Sequence, residues 1–194
     1  MRPAVSTYVF LSSLARRGGA TLLLGMLVSP ASHACYSPPR EQLVSPDEQI
    51  ALATDVSLAK VVRATPLHAS AFGRPPVEYE FEVHERILGP DEQRFILIGA
   101  HGPTRISLSS SDHGGKAFWE HGGGRLHNDS DCIVKPDFTV GEYYLLFRGK
   151  PATWRSFEHI ATVRGRPDPD DPWLSYVKAK LEARRQQMTE HVRR

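Results

Sequence analysis

The stretch VEYEFEVHERIL, residues 77–88, decides the fold class of this chain. Apolar and charged side chains alternate along it, and a period of two residues is typical of a β-strand with one buried face. Gly89-Pro90-Asp91 ends the strand, and RFILIG (94–99) follows at hairpin distance as a shorter, more fully buried strand. The apolar face of the first strand consists of Val77, Tyr79, Phe81 and Val83.

Further strand signals lie on both sides of this hairpin, and two helices frame them. The strands are DVSLAKVVRAT (55–65), TRISL (104–108), EYYLLF (142–147) and SFEHIATV (156–163). In SPDEQIALA (45–53), Ser45 is placed as N-cap and Glu48 closes a capping box, which predicts a short helix. A terminal helix is predicted after the cap Asp171, with an apolar stripe of Trp173, Val177, Leu181 and Met188 and with Tyr176 beside it.

This order of elements predicts a mainly β protein. The strand count suits a small closed five-stranded OB-type barrel, with a short N-terminal helix and a C-terminal helix packed on it. A β-sandwich is the alternative. We expect residues 35–165 to form the barrel and residues 166–194 to form a linker and the C-terminal helix.

Residues 1–34 have the pattern of a secretory signal peptide. Three arginines precede the apolar run ATLLLGMLVSP, and the small residues of SHA stand at the cleavage positions. We therefore expect an exported protein, periplasmic or secreted, with no membrane span in the mature chain. Without those arginines the chain carries 21 basic and 22 acidic residues, a balance that argues against a nucleic-acid partner.

The chain has two cysteines, Cys35 at the expected mature start and Cys132. In an oxidising compartment, a disulfide between them is the default expectation. A lipid anchor on Cys35 would need a leucine three residues before it, where Ser32 stands.

Residues 109–131, SSSDHGGKAFWEHGGGRLHNDSD, follow neither periodicity and are predicted as one long loop between strands. His113, His121 and His127 are candidate metal ligands, although their spacing matches no compact zinc pattern. The adjacent aromatic residues Phe118 and Trp119 either cap the barrel or form an exposed binding anchor. No catalytic motif is found in the sequence, which favours a protein that is not an enzyme and uses no cofactor.

An ordered set of segments resembles the netrin-like module, the OB-fold of tissue inhibitors of metalloproteinases. The set is CYSP at 35–38, SPDEQIALA, DVSLAKVV, VEYEFEVHERILGP, and DC at 131–132 before FTVGEYYLLF. The resemblance implies that Cys35 pairs with Cys132 and that the amine and carbonyl of Cys35 could chelate the catalytic zinc of a target protease. Tyr36 and Ser37 differ from the family pattern, which has a small residue and a second ridge cysteine there.

The sequence thus predicts an exported, non-enzymatic binding protein. Its partner, an unknown protein or small ligand, would bind at a ridge and at the 109–131 loop. The predicted ridge comprises Cys35, Tyr36, Ser37, Phe118 and Trp119. The alternatives are a metal-binding protein that uses His113, His121 and His127, and a metalloprotease inhibitor that acts through the amine of Cys35.

Overall fold

The computed structural model describes residues 39–68, 75–100, 112–121, 126–128, 134–149 and 152–193. After a 3₁₀ turn at Arg40–Gln42, these residues form three helices and nine strands. The helices are α1 (Pro46–Leu52), α2 (Lys116–His121) and α3 (Pro172–Arg193). The strands are β1 (Val56–Pro66), β2 (Val77–Leu88), β3 (Arg94–Gly99), β4 (Leu126–Asn128), β5 (Val134–Pro136), β6 (Tyr143–Phe147), β7 (Phe157–Ile160), β8 (Thr162–Val163) and β9 (Arg166–Pro167).

Five strands form one antiparallel sheet in the order β3-β2-β1-β6-β7. Strand β1 lies at its centre, because its first half pairs with both β2 and β6. Two short hairpins, β4–β5 and β8–β9, lie outside this sheet. The prediction of a mainly β protein with a five-stranded sheet and a C-terminal helix is confirmed.

Closure of the sheet into a barrel is not found among the described strands, where β3 and β7 are the two edges. The end of β3 does contact β5, since Ala100 N donates to Pro136 O at 2.8 Å. A Cβ atom at Gly99 would lie only 2.1 Å from that carbonyl oxygen, so this close approach of two backbones requires glycine. The closed barrel therefore stays a prediction.

Strand β6 is apolar on both of its faces, because each face packs against a core of its own. Alternate residues point to opposite faces of a strand, which explains why all five residues of β6 are buried. On one face an aromatic group packs edge to face around Phe138, with Phe81, Tyr79, Tyr144 and Phe157. The other face is covered by α1 and α3 and contains Val56, Leu58, Leu145, Phe147 and Ile160.

Helix α3 packs on the sheet through its first three turns. Its buried side chains are Trp173, Leu174, Val177 and Leu181. Met188 is 63 % exposed, so the prediction that it belongs to the core stripe is wrong. The buried side of the helix ends before this residue. Among the described residues no helix has the length and apolar character needed to span a bilayer.

The capping signals of both predicted helices are confirmed. At α1 the Ser45 hydroxyl accepts from Glu48 N at 3.2 Å and the Glu48 carboxylate accepts from Ser45 N at 2.7 Å, which completes the capping box. At α3 the Asp171 carboxylate accepts from Leu174 N at 2.9 Å.

Two predictions for the connecting segments need correction. The 109–131 segment is not a single structureless loop, because it contains α2 and β4 in its described part. The predicted linker after residue 165 begins inside the β8–β9 hairpin. The strand predicted at 104–108 lies outside the described residues.

Candidate functional site

Four of the predicted site residues lie outside the described residues: Cys35, Tyr36, Ser37 and Cys132. The disulfide, the N-terminal part of the ridge and the inhibitor mechanism therefore stay predictions. The remaining five lie in α2, in β4 or just before α2, and the structure shows the side chains of three of them, His113, Phe118 and Trp119.

Phe118 and Trp119 belong to the core beneath α3. Phe118 is only 4 % exposed, and its ring packs 5.4 Å from that of Trp173. Trp119 is partly buried against the same core, and its indole Nε1 donates to the backbone oxygen of His113 at 2.8 Å. The interpretation of Phe118 as an exposed anchor is wrong, because a short amphipathic helix turns its aromatic side toward α3.

His113 is enclosed between two carboxylates. It is 1 % exposed; its Nδ1 lies 2.7 Å from Asp171 Oδ2, and its Nε2 lies 3.6 Å from Glu158 Oε2. Both ring nitrogens thus face carboxylate oxygens, and the Nδ1–Oδ2 distance is that of a direct hydrogen bond. Within the described residues no group of three histidine, cysteine or acidic side chains is arranged to hold a metal. The side chains of His121 and His127 lie outside the described set.

The pKa of His113 reflects two opposed effects. Burial alone would lower the pKa of the imidazole, but the hydrogen bond to Asp171, the contact with Glu158 and the charges of both carboxylates outweigh it and raise the pKa to about 9. His113 is therefore a cation at neutral pH and forms a buried ion pair with Asp171.

Arg155 completes this buried group and joins three segments of the chain. Its Nε donates to Val44 O at 2.8 Å, and an Nη donates to Trp119 O at 3.0 Å. The guanidinium also lies over the rings of Phe118 and Trp173, at 5.1 and 5.8 Å from their centroids. Burial lowers the pKa of this guanidinium, and the charge of Glu158 opposes that shift.

We call His113, Arg155, Glu158 and Asp171 the buried charge cluster. Two cations and two carboxylates balance each other there, and each of the four is at most 6 % exposed. A ligand cannot reach these side chains from solvent. Because Asp171 also caps α3, the cluster fixes the start of that helix against β7 and α2.

An open cleft lies close to the start of α3. It measures about 590 Å³ and is bounded by β2, the β8–β9 hairpin and α3. We call it the hairpin cleft. Its lining residues are Leu58, His84, Glu85, Val163, Arg164, Arg166, Pro167, Pro169, Leu174 and Lys178.

The hairpin cleft combines apolar and charged side chains. Leu58 and Leu174 are almost fully buried and form part of its floor, while Val163 on the hairpin is half-exposed. Glu85 and Lys178 pair with each other at 2.6 Å. The described part of the lining supplies one imidazole, one ion pair and two guanidinium groups, and it contains no serine, threonine or cysteine nucleophile.

The hairpin itself has an unusual turn. Arg164 and Gly165 both have positive φ angles, 54° and 77°, as the central residues of a two-residue type I′ turn require. Glycine and asparagine are the residues that suit such positions, whereas an arginine is uncommon there. Neither this turn nor the cleft was predicted, because VRGRP lacks the Asn-Gly signal by which such hairpins are recognised.

Comparison with known proteins does not identify a relative. No family model matches the chain, and no curated protein matches it.

The first prediction concerns the pH dependence of stability. A folded-state pKa of about 9, above the ordinary value of about 6.5 in the unfolded chain, means that the His113 contribution is fully present below pH 6.5 and is lost as the pH rises to 9. The loss is on the order of 3 kcal/mol of unfolding free energy. Urea unfolding from pH 6 to pH 10 should show this fall in the wild type but not in His113→Gln.

His68→Gln is the matched control, because His68 is exposed. Its unfolding free energy should follow the wild-type pH profile. A His113→Gln variant that keeps the wild-type slope between pH 6.5 and pH 9 would contradict the assignment of the charge.

Proposed function

We propose that this chain is an exported, non-enzymatic binding protein and that the hairpin cleft holds its ligand, a small organic molecule. The observation that carries this proposal is an open cleft with an apolar floor and a charged rim. Ligand sites in proteins are typically concave, mostly apolar, and 300–1,000 Å³ in volume, with a few polar groups that orient the ligand.

The construction of the cleft supports a preformed site. Leu58 lies on the central strand β1 and Leu174 lies in the first turn of α3, so both floor residues belong to regular elements. The buried charge cluster holds the start of α3 in place three residues before Leu174. A ligand would therefore meet a rigid floor and would not have to order it.

The predicted family relationship is part of the proposal. An antiparallel sheet with the long β1 between β2 and β6, and the contact between the end of β3 and β5, would suit an OB-type barrel like that of netrin-like modules. OB barrels commonly bind on one face and its flanking loops. In this chain the cleft lies between the sheet and α3, and the predicted ridge residues Cys35–Ser37 lie outside the described residues.

The next prediction tests binding in the cleft with a neutral probe. Titration of the ¹⁵N-labelled protein with 1-octanol should give saturable amide shifts at Val163, Leu174 and Lys178. A dissociation constant on the order of 1 mM is expected for a ligand of this size. The variant Val163→Trp should abolish the shifts, because the indole would occupy the space of the alkyl chain.

Ile96→Trp provides the matched control. Ile96 and Val163 are both β-branched strand residues and about half-exposed, at 51 % and 50 %, but Ile96 lies on β3, outside the cleft. This control should bind 1-octanol as the wild type does. Shifts that do not saturate, or that collect around Ile96 and Ile98 instead, would contradict the assignment of the site.

Export and the disulfide are tested by intact mass. We expect the mature protein to begin at Cys35 and to gain the mass of two hydrogen atoms on reduction, as a Cys35–Cys132 bridge requires. A mature protein that retains residues 1–34 would refute export, and an unchanged mass on reduction would refute the bridge.

A further inference from the structure

We propose that the ligand of the hairpin cleft is an amphipathic anion, a molecule with an alkyl or aromatic body and one carboxylate or phosphate group. This inference rests on the proposed function, because it names the chemical class that the same cleft would bind. Three observations carry it: the charge balance of the rim, the geometry of the hairpin, and the apolar floor.

The rim of the cleft carries an excess of positive charge. Among the described lining residues, the cations are Arg164, Arg166 and Lys178, and the one carboxylate is that of Glu85. Glu85 is engaged by Lys178 at 2.6 Å, which leaves both guanidinium groups uncompensated by the lining. The side chains of Arg164 and Arg166 are exposed and form no ion pair or hydrogen bond within the part of the chain that the structure describes.

The acidic residues nearest in sequence do not change this balance. Asp168 and Asp170, in the linker between β9 and α3, are not among the lining residues. The Asp168 carboxylate accepts a hydrogen bond from the backbone nitrogen of Asp170 at 3.0 Å. The rim therefore offers two guanidinium groups to an incoming oxyanion, and a planar guanidinium can bind carboxylate or phosphate through two parallel hydrogen bonds.

The β8–β9 hairpin presents these arginines beside an apolar side chain. Val163 and Arg166 are directly paired across the two strands, so both side chains extend from the same face of the hairpin, and both line the cleft. Arg164 follows Val163 in the turn, at a φ of 54° that a bulky side chain rarely adopts. Arg164 thus places a guanidinium group at a turn position where an asparagine would cause less backbone strain.

The body of the ligand would lie along the apolar part of the cleft. Leu58 and Leu174 form the floor, and Val163, Pro167 and Pro169 stand on the hairpin side. An anion without an apolar body would leave this surface in water, and a neutral apolar molecule would leave the two arginines without a partner. A molecule with both parts uses the whole cleft.

The test compares probes that share one alkyl chain and differ in charge. At pH 7 and low salt, octanoate and octyl phosphate should bind at least ten-fold more tightly than 1-octanol, and octylamine should bind more weakly than 1-octanol. The stronger of the two anions identifies the preferred head group. Inorganic phosphate alone should bind more weakly than octyl phosphate, because it lacks the apolar body.

Two variants locate the effect. Arg164→Asn and Arg166→Gln should each reduce the advantage of octanoate over 1-octanol, because each removes one guanidinium group from the rim. Arg63→Gln is the matched control, an exposed arginine that lies outside the cleft and pairs with Glu80, and it should bind octanoate as the wild type does. Arg164→Asn should also raise the melting temperature by roughly 2–4 °C, since asparagine tolerates the left-handed turn position.

The outcomes separate this inference from the proposed function. If 1-octanol binds in the cleft and octanoate binds no more tightly, or if both arginine variants keep the full octanoate advantage, the anion inference is wrong and the binding site stands. If none of the alkyl probes gives saturable shifts at the cleft, both proposals fail. A fall in melting temperature for Arg164→Asn would contradict the claim that asparagine relieves backbone strain at this turn position.

Discussion

The ion pair between His113 and Asp171 is the contact on which the arrangement around α3 depends. One Asp171 oxygen lies 2.7 Å from the His113 ring, and the other accepts the backbone N–H of Leu174 in the first turn of the helix. The same carboxylate thus anchors the segment before α2 and sets the start of α3. Trp173 and Leu174, which follow at once, are placed in the core and in the floor of the hairpin cleft.

Charges in this position must balance, because the surrounding side chains are apolar. Glu158 projects from β7 toward the helices, on the face that carries Ile160. Removing either partner of a buried ion pair would leave the other charge without compensation. His113 and Arg155 supply the compensating charges from two different segments. Since His113 lies 58 residues before Asp171 in the sequence, the cluster forms only when the segment before α2 has met β7 and the start of α3, which suits a role in specifying how these elements assemble. The arginines of the cleft rim are the opposite case: they are exposed and unpaired within the described structure, which leaves them available to a ligand.

The parts of the fold that could be predicted are those governed by local patterns. The alternation of residues 77–88 placed β2 at its observed bounds, and Ser45 with Glu48 marked the start of α1. The segment from 109 to 131 was misread because α2 is only six residues long and is stabilised by the contacts of Phe118 and Trp119 with α3, not by a helical period of its own. The sequence favoured a loop histidine or a metal ligand at His113, because its partner Asp171 lies 58 residues further along the chain and no local pattern connects the two. The cleft depends on a hairpin whose turn residue Arg164 carries no turn signal, so its position follows from tertiary structure alone.

The measurement that tests this account most directly is an NMR titration of the His113 ring nitrogens. If the imidazole lies between Asp171 and Glu158 as described, both nitrogens should be protonated at pH 7 and should titrate with a pKa of about 9. A pKa at or below 6.5, with a single protonated nitrogen at pH 7, would contradict the buried ion pair and with it the placement of α3 against the sheet.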